Sequence, residues 1–336
     1  MKRNIIATCL VSLAVVIAGC GRGTPEYKKK LEVTVGSAPA LEFKRYEEVL
    51  FNLDTAAFQQ ELMAIQDEFH PFLDGDLGDP LAVKYLKDFA LDPFSLMLYH
   101  KVKAVYPSLE AVESIVNGVY RHFYYYYPEI RLPETIFTCV SGVNPDIPPV
   151  MLLEDALVIS LDWYLDNDEV YNQIGVPQYR SERTGIAFLA KDLSSQIYQY
   201  FIEEGHKQTN LLEEMVYSGK KLFFVEAMCP SIEDRVLLGY TETQIEWAEE
   251  YEGNLWADLV GNRYLYSSEY EMFRVFFADG PFTNEYSHDA PARLGEFLGL
   301  HMVRSYMDNH DCSLQDLMQN IDLQGIFQDS KYKPKK

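Results

Sequence analysis

The sequence predicts an α+β domain that is rich in helices and contains one small sheet. Most of the chain places apolar residues three and four positions apart, which is the spacing of amphipathic helices. Short runs of β-branched residues, which favour strands, lie in the middle of the chain. The 336 residues are 48% hydrophobic and 24% charged, which excludes a disordered or fibrous protein and allows a sizeable core.

The helical periodicity falls on both sides of the predicted strands. Before the strands, the predicted helices are 58–69, 81–90, 95–105 and 109–123. After them, the predicted helices are 181–204, 210–217, 231–238, 241–259, 291–308 and 314–320. In the helix 291–308, Gly295 and Gly299 are one turn apart, which indicates a close approach of another helix.

The predicted sheet rests on three β-branched runs, at 134–140, 150–153 and 156–161. Glu154 and Asp155 form a natural tight turn, so the last two runs are predicted to form a hairpin. No repeat, low-complexity block or further linker interrupts the chain after residue 40. We therefore expect one globular domain over residues 41–336.

The charge balance excludes one class of function. The chain has 29 Lys and Arg against 51 Asp and Glu, a formal net charge of −22. Such a surface repels nucleic acid phosphates, so no nucleic acid partner is expected. The acidic positions Glu246, Glu249, Glu250 and Glu252 are interpreted as a solvated helix face.

The N-terminus carries the most specific pattern. A basic start precedes the apolar stretch Ile5–Ala18, which is too short for a typical bilayer span of about 20 residues but suits a secretory signal. The stretch ends in Ile17-Ala18-Gly19-Cys20, which resembles the bacterial lipobox. The resemblance implies a signal peptide over 1–19 and a lipid on Cys20. An ordinary signal peptide or N-terminal anchor is the alternative interpretation.

These features predict where the protein is held. Residues 20–40 contain Gly, Pro and Lys and little apolar content, so a flexible tether is expected there. The predicted lipoprotein is held by its lipid in the cell envelope, on the periplasmic side or at the outer membrane. Cys139, Cys229 and Cys312 remain in the mature chain without C-x-x-C spacing, so separate buried thiols are expected.

Several stretches together resemble the gliding-motility lipoprotein GldB family of Bacteroidetes-type bacteria. The matching positions are 45–46, 50–51, Asp54, 120–133 (YRHFYYYYPEIRLP), 141–142, 215–224 (MVYSGKKLFF), 238–241, Gln244, Trp247, 293–295, Gly299, 303–307, 326–327 and 330–334. They run from about residue 43 to the end of the chain. The resemblance implies an envelope lipoprotein associated with the gliding apparatus and assigns it no molecular activity.

The order of strands, hairpin and long helix also looks like that of zincin-type metallopeptidases. In those enzymes, the helix after the hairpin carries H-E-x-x-H, whose imidazoles bind zinc. The corresponding helix here, 181–204, contains no histidine, and none of the seven histidines of the chain lies four positions from another. A zincin-like fold without its metal site is therefore expected, with neither metal nor cofactor.

Two groups of residues are candidates for binding a partner. Tyr217, Lys220 and Lys221 follow one another around Gly219, which is interpreted as a turn, and Arg304 lies on the C-terminal helix. Together they are predicted to line a cleft that binds a carboxylate or polar peptide. The aromatic run 123–127 is either a surface for a partner or glycan, or a buried strip with hydroxyls at its boundary.

Three functional hypotheses follow. The leading one is a non-catalytic, pseudo-peptidase-like lipoprotein that binds an unknown envelope protein. The second is an active hydrolase with an unrecognised site built from carboxylates such as Glu182, Asp192 or Glu203. The third is a lipoprotein that binds glycan or cell wall through surface tyrosines.

Overall fold

The computed structural model describes residues 24–166, 169–203, 205, 207 and 209–334, and its fold is the predicted helix-rich α+β class. The strands are β1 (Glu42–Arg45), β2 (Thr135–Cys139), β3 (Val150–Leu152) and β4 (Ala156–Ser160). The helices before β2 are α1 (Glu26–Leu31), α2 (Tyr46–Leu50), α3 (Phe58–Ile65), α4 (His70–Leu73), α5 (Pro80–Leu91), α6 (Pro93–Val105) and α7 (Glu110–Tyr126). The helices after β4 are α8 (Glu169–Gln173), α9 (Gln178–Ser181), α10 (Leu189–Ile197), α11 (Leu211–Met228), α12 (Asp234–Leu238), α13 (Glu242–Gly261), α14 (Tyr270–Phe277), α15 (Leu294–Asn309), α16 (Leu314–Gln319) and α17 (Leu323–Ser330).

The sheet is mixed and has the strand order β1-β2-β4-β3. β1 and β4 both run parallel to β2, whereas β3 and β4 form the predicted antiparallel hairpin. The Leu153 amide donates to the Ala156 carbonyl across the tight turn, at 2.8 Å. The sequence did not predict β1, because its four residues (EFKR) include no β-branched side chain and its pairing partner lies about 90 residues away in the chain.

The two faces of the sheet belong to two different hydrophobic cores, because successive strand residues point to opposite sides. Ile136, Leu157 and Ile159 face the larger core, which is built with α7, α10, α11 and α15. Phe137 and Val158 face a smaller core formed with α2 to α5. The sheet therefore lies between two helical layers and is solvent-shielded on both sides.

α11 and α15 cross at the centre of the larger core, and glycines set their separation. A Cβ atom on Gly299 would lie 2.6 Å from the carbonyl carbon of Met215, and one on Gly219 would lie 2.9 Å from the amide nitrogen of Leu300. The close helix approach predicted from the glycine spacing is thus present at Gly299. Gly219 lies inside α11 rather than in a turn, because the helix continues to Met228 through a stretch buried on nearly all sides.

The long helix predicted over 181–204 is interrupted. α9 ends at Ser181, the chain extends through Gly185, and a 3₁₀ turn over 186–188 leads into α10. The Thr184 hydroxyl donates to the Ser181 carbonyl at 2.6 Å, a local bond that competes with helix continuation. A π-helical segment over 198–202 follows α10 directly.

Part of the predicted flexible tether is folded onto the domain. Within residues 20–40, α1 buries Tyr27 and Leu31 against the end of α15. The Tyr27 amide donates to the Asp308 carboxylate at 2.7 Å, and the Lys30 ammonium group donates to the carbonyls of Met307 and His310. In α1, two apolar residues one turn apart contact a complementary surface of the domain that the local composition does not reveal.

Candidate functional site

Two charged side chains lie side by side on α10, the helix that follows the hairpin. Lys191 and Asp192 are both half-buried. The hydroxyl group of Tyr164 donates to a carboxylate oxygen of Asp192 at 2.9 Å. Tyr164 follows β4 and is held in turn by Tyr106, whose hydroxyl donates to the Tyr164 carbonyl. The buried side chain of Tyr164, just after the sheet strand β4, thus orients Asp192.

The protein environment moves the pKa values of this pair toward neutrality. Burial raises the pKa of Asp192 to about 6, against the opposing effects of the Lys191 charge and the Tyr164 hydrogen bond. Burial and the nearby Arg293 lower the pKa of Lys191 to about 8, although the charges of Asp192 and Glu296 oppose the shift. Groups with pKa values between about 6 and 8 can exchange protons near physiological pH.

A network of ion pairs surrounds Lys191. Arg183 donates to Asp279 at 2.8 Å, and Arg293 donates to Glu296 at 2.9 Å and to the Leu238 carbonyl at 2.7 Å. Burial alone would raise the pKa of Asp279, but the guanidinium groups outweigh it and the pKa is lowered. We call the following residues the charged cluster: Arg180, Arg183, Lys191, Asp192, Asp279, Arg293 and Glu296.

A groove of about 580 Å³ adjoins the charged cluster where α9, the start of α13 and the loop before α15 meet. We call it the acidic groove, because its described lining contains Asp and Glu side chains and no Lys or Arg side chain. Its lining residues are Gln178, Tyr179, Glu182, Thr241, Thr243, Gln244, Glu246, Trp247, Glu250, Pro281, His288 and Asp289.

Side chains behind the acidic groove hold its walls in place. Thr241 and Gln244 form a capping box at the start of α13, and the Gln244 amide also donates to the Pro281 carbonyl at 3.1 Å. The Trp247 ring stacks on Tyr251 with centroids 4.7 Å apart. The Arg183 guanidinium group lies 5.6 Å from the centre of the Tyr179 ring and links the groove to the charged cluster.

The four predicted cleft residues lie at two different places. Tyr217 and Lys220 line a cavity of about 110 Å³, whereas Arg304 lines a separate one of about 610 Å³. The buried Lys220 ammonium donates to the carbonyls of Met318 and Asn320, and the Tyr217 hydroxyl donates to Glu203. Lys221 is half-buried on the next position of α11. The structure therefore does not bring the four together in one cleft.

The alternative site residues are also dispersed. Glu182 lines the acidic groove, Asp192 belongs to the charged cluster, and Glu203 accepts the Tyr217 hydrogen bond. Of the aromatic run, Phe123, Tyr126 and Tyr127 are buried, while Tyr125 is half exposed. Burial is therefore the better interpretation of the run as a whole.

The sequence did not identify the acidic groove. The sequence pattern indicates a solvated helix face at Glu246 and Glu250, yet the same helix turn presents Trp247 to the groove. A tryptophan between two glutamates four positions apart was the available signal. The partners of that turn come from α9 and from residues 281–289, which no local pattern connects with it.

Among the described residues, no three His, Cys, Asp or Glu side chains converge in a way that could hold a metal ion. His301, on α15, instead contacts Glu252 on α13. Cys139, Cys229 and Cys312 are free thiols, with Cys139 fully buried and the other two half-buried.

Comparison with protein families identifies the chain. The family described as gliding motility protein GldB matches residues 28–334, which is most of the sequence. The chain belongs to this family. The resemblance recognised in the sequence is thereby confirmed, and the GldB-family protein is a gliding-motility lipoprotein of the cell envelope. Neither a curated protein nor a solved structure matched it.

The helices of this GldB-family protein were also compared with the requirements of a membrane span. In the part of the chain that the structure describes, no helix combines sufficient length with sufficient apolar character to cross a bilayer.

Proposed function

We propose that this GldB-family protein is a non-catalytic, lipid-anchored envelope component whose domain binds a positively charged segment of a protein partner. The observation that carries the proposal is the acidic groove, where Glu182, Glu246, Glu250 and Asp289 line the same cavity as the ring of Trp247. Carboxylates attract Lys and Arg side chains, and aromatic faces favour the same cations by about 0.5–1 kcal/mol at exposed sites.

The chemistry of the groove supports a modest, salt-sensitive affinity. Glu246, Glu250 and Asp289 are exposed, so each ion pair with a partner contributes about 0.2–1 kcal/mol. Several such pairs and the aromatic contacts must act together to give useful binding. The net charge of −22 adds long-range attraction for a basic partner, which increases the association rate at low salt.

The charge on α10 supports the non-catalytic half of the proposal. The zincin resemblance assigns metal ligands to the helix after the hairpin, and this helix carries Lys191 instead of imidazoles. An ammonium group repels a divalent cation in its neighbourhood. Zinc bound stoichiometrically to the purified, folded protein would contradict this assignment.

The acidic groove can be tested with a defined peptide. We expect a fluorescent hexalysine peptide to bind the soluble domain and hexaglutamate not to bind. The double variant Glu246→Gln and Glu250→Gln should weaken hexalysine binding by about tenfold, since two ion pairs of up to about 1 kcal/mol are lost. Trp247→Ala should weaken it as well. Fluorescence anisotropy at low and high NaCl measures both effects.

The matched control changes the same charge elsewhere. Glu110 on α7 and Glu269 before α14 are exposed and lie outside the groove lining. The double variant Glu110→Gln and Glu269→Gln should bind hexalysine as the unmodified protein does. Equal losses in both double variants would show that net charge alone binds the peptide and would contradict the groove as the binding site.

We also propose that the lipid is attached to Cys20, which lies outside the described residues. The lipobox-like sequence before this cysteine supports the proposal. In the native host, Cys20→Ser should abolish incorporation of an alkyne-labelled fatty acid and release the protein from the membrane fraction. Cys9→Ser, a matched change within the leader, should alter neither. Continued labelling of Cys20→Ser would contradict the attachment site.

A further inference from the structure

Two consecutive tyrosines at the end of α7 have hydroxyl groups without partners. Tyr126 and Tyr127 are only 7% and 8% exposed. Neither hydroxyl group forms a hydrogen bond with any other described residue. Burying a polar group without a partner is costly, and a ligand that pairs with the group removes this cost.

Each of these tyrosines lines a cavity. Tyr126 lines one of about 460 Å³, which lies between α1, the end of α15 and the start of α16. Tyr127 lines one of about 210 Å³. Gln315 on α16 lines both cavities, and its side-chain amide donates to the Tyr126 carbonyl. The two cavities therefore adjoin at Gln315, and we call them the tyrosine pockets.

The charged groups of the tyrosine pockets favour a neutral ligand. Lys30 is the only Lys or Arg side chain in their described lining, and its ammonium group already donates to the carbonyls of Met307 and His310. Asp311 in the larger pocket and Glu129 in the smaller one are exposed carboxylates. These carboxylates repel an anion, whereas Lys30 repels a cation from the larger pocket. A ligand that occupies both pockets is therefore expected to be uncharged.

The rest of the lining combines a hydrogen-bonding group with apolar surfaces. Burial raises the pKa of Tyr126 to about 12, so its hydroxyl group is protonated near pH 7 and can both donate and accept. The ring of Tyr125 is half exposed in the same pocket. Four buried apolar side chains complete the larger pocket: Leu31, Phe223, Met307 and Leu314. A sugar ring matches this lining, because its edge carries hydroxyl groups and its C–H face packs on aromatic and apolar surfaces.

We propose that the tyrosine pockets bind a neutral oligosaccharide, with the hydroxyl groups of Tyr126 and Tyr127 as hydrogen-bonding contacts. Two adjoining pockets accommodate two linked sugar units. The apolar side chains of the larger pocket favour a sugar with an acetamido group, because its methyl group can be buried there while its N–H donates to the Gln315 side chain. The pockets share no lining residue with the acidic groove, so this proposal and the proposed function succeed or fail separately.

Calorimetric titration of the purified protein with defined sugars tests the proposal. We expect saturable binding of chitotetraose, a neutral chain of N-acetylglucosamine units. Cellotetraose, which has the same backbone without acetamido groups, should bind more weakly, and tetragalacturonate, with a carboxylate on every unit, should not bind. The absence of saturable chitotetraose binding in the millimolar range would overturn the proposal. Tetragalacturonate binding as tight as that of chitotetraose would overturn it as well.

Removal of single hydroxyl groups separates binding from folding. Tyr126→Phe and Tyr127→Phe each delete a hydroxyl group that bonds to no other described residue, so stability should not fall. Each variant should weaken chitotetraose binding by about three- to tenfold, as expected for one lost hydrogen bond. Tyr120→Phe is the matched control on the same helix, because the Tyr120 hydroxyl donates to the Pro133 carbonyl at 2.9 Å and Tyr120 lines neither pocket. It should lower the urea midpoint and leave the affinity unchanged.

Two results of this series would contradict the assigned contacts. Unchanged affinity in both Tyr126→Phe and Tyr127→Phe would exclude their hydroxyl groups from the site. An equal loss of affinity in Tyr120→Phe would show that the loss reports altered packing of α7 instead of a missing contact. Hexalysine binding should stay the same in all three variants, because the acidic groove lies elsewhere.

Discussion

Arg304 is almost completely buried between α11, α12 and the N-terminal helix. Its guanidinium group donates twice to Glu226, at 2.9 Å each, and twice to Asp234, at 2.6 and 2.8 Å. The ring of Tyr27 covers it at 5.3 Å. The sequence showed a cation on a helix and predicted a binding role. The structure shows that its donors are occupied inside the molecule, because three distant segments converge on it.

The two carboxylates respond differently to Arg304. Glu226 is buried, and desolvation raises its pKa more than Arg304 lowers it. Asp234 is about one-third exposed, at 35% of its side-chain surface. Burial would still raise the pKa of Asp234, but the hydrogen bonds and charge of Arg304 outweigh it, so the pKa is lowered from its ordinary value of 3.8.

The lowered pKa of Asp234 predicts that the protein loses stability at acid pH. A carboxyl group with a lowered native pKa stabilises the fold above its unfolded pKa, near 4, and loses this contribution as the pH falls through the native value. Asp234→Asn should therefore lower the free energy of unfolding at pH 7 by about 1 kcal/mol, a value reduced for partial exposure. Urea denaturation between pH 7 and pH 2 should show a smaller acid-induced loss in the variant.

The neighbouring Glu233 provides the control for this measurement. It forms an ion pair with Arg235 but is 65% exposed. Glu233→Gln should change stability by no more than about 0.5 kcal/mol at any pH. If Asp234→Asn and the unmodified protein lost stability in parallel from pH 7 to pH 2, the assigned role of Asp234 would be wrong.

At the scale of elements, the crossing of α11 and α15 organises the larger core. Gly219 and Gly299 have no side chain, so the two backbones approach closely. A Cβ atom added at either glycine would overlap with the backbone of the opposite helix. The spacing of Gly295 and Gly299 was visible in the sequence, but their partner helix was not. The sequence indicates a turn at Gly219, but the structure places this glycine inside α11.

The close crossing of α11 and α15 predicts opposite effects on stability for two Gly→Ala substitutions. Gly299→Ala should destabilise the protein by about 3 kcal/mol, because the new methyl group meets the backbone of Met215 and cannot be relieved by a rotamer change. Gly118 also lies inside a helix, α7, but an added Cβ meets nothing within 4 Å. Gly118→Ala should stabilise the protein by up to about 1 kcal/mol. Urea denaturation of both variants measures the contrast, and changes of equal sign would contradict it.

The secondary structure was predictable where local signals were strong. The β3–β4 hairpin and the helices α5, α6, α7 and α13 agree with their apolar periodicity to within a few residues. β1 was missed because a short parallel edge strand depends on pairing with residues far along the chain. The interruption before α10 was missed because Ser181 and Thr184 end the helix by local hydrogen bonds that compete with an otherwise helical pattern.

At the scale of the whole molecule, the first and last described segments, around residues 25–31 and 323–333, lie close together. α1 packs on the end of α15 across 281 positions of sequence, and Tyr332 reaches Glu252 on α13 at 2.8 Å. Pro25, Tyr27, Tyr332 and Lys333 line the same cavity of about 610 Å³. The N-terminal segment that leads back to Cys20 is therefore part of the folded domain from α1 onward.

The sequence by itself determined the fold class, the hairpin and the family, because each is recorded in local composition, spacing or order along the chain. Only the tertiary structure decided which charged side chains already bind other groups of the protein and which are exposed to a partner. Arg304 and Lys220 are satisfied by groups more than 60 positions away, whereas the exposed carboxylates of Glu246 and Glu250 beside Trp247 line a groove. Whether a charged side chain has a partner depends on its neighbours in three dimensions. These neighbours are set by packing between segments that no local sequence pattern connects.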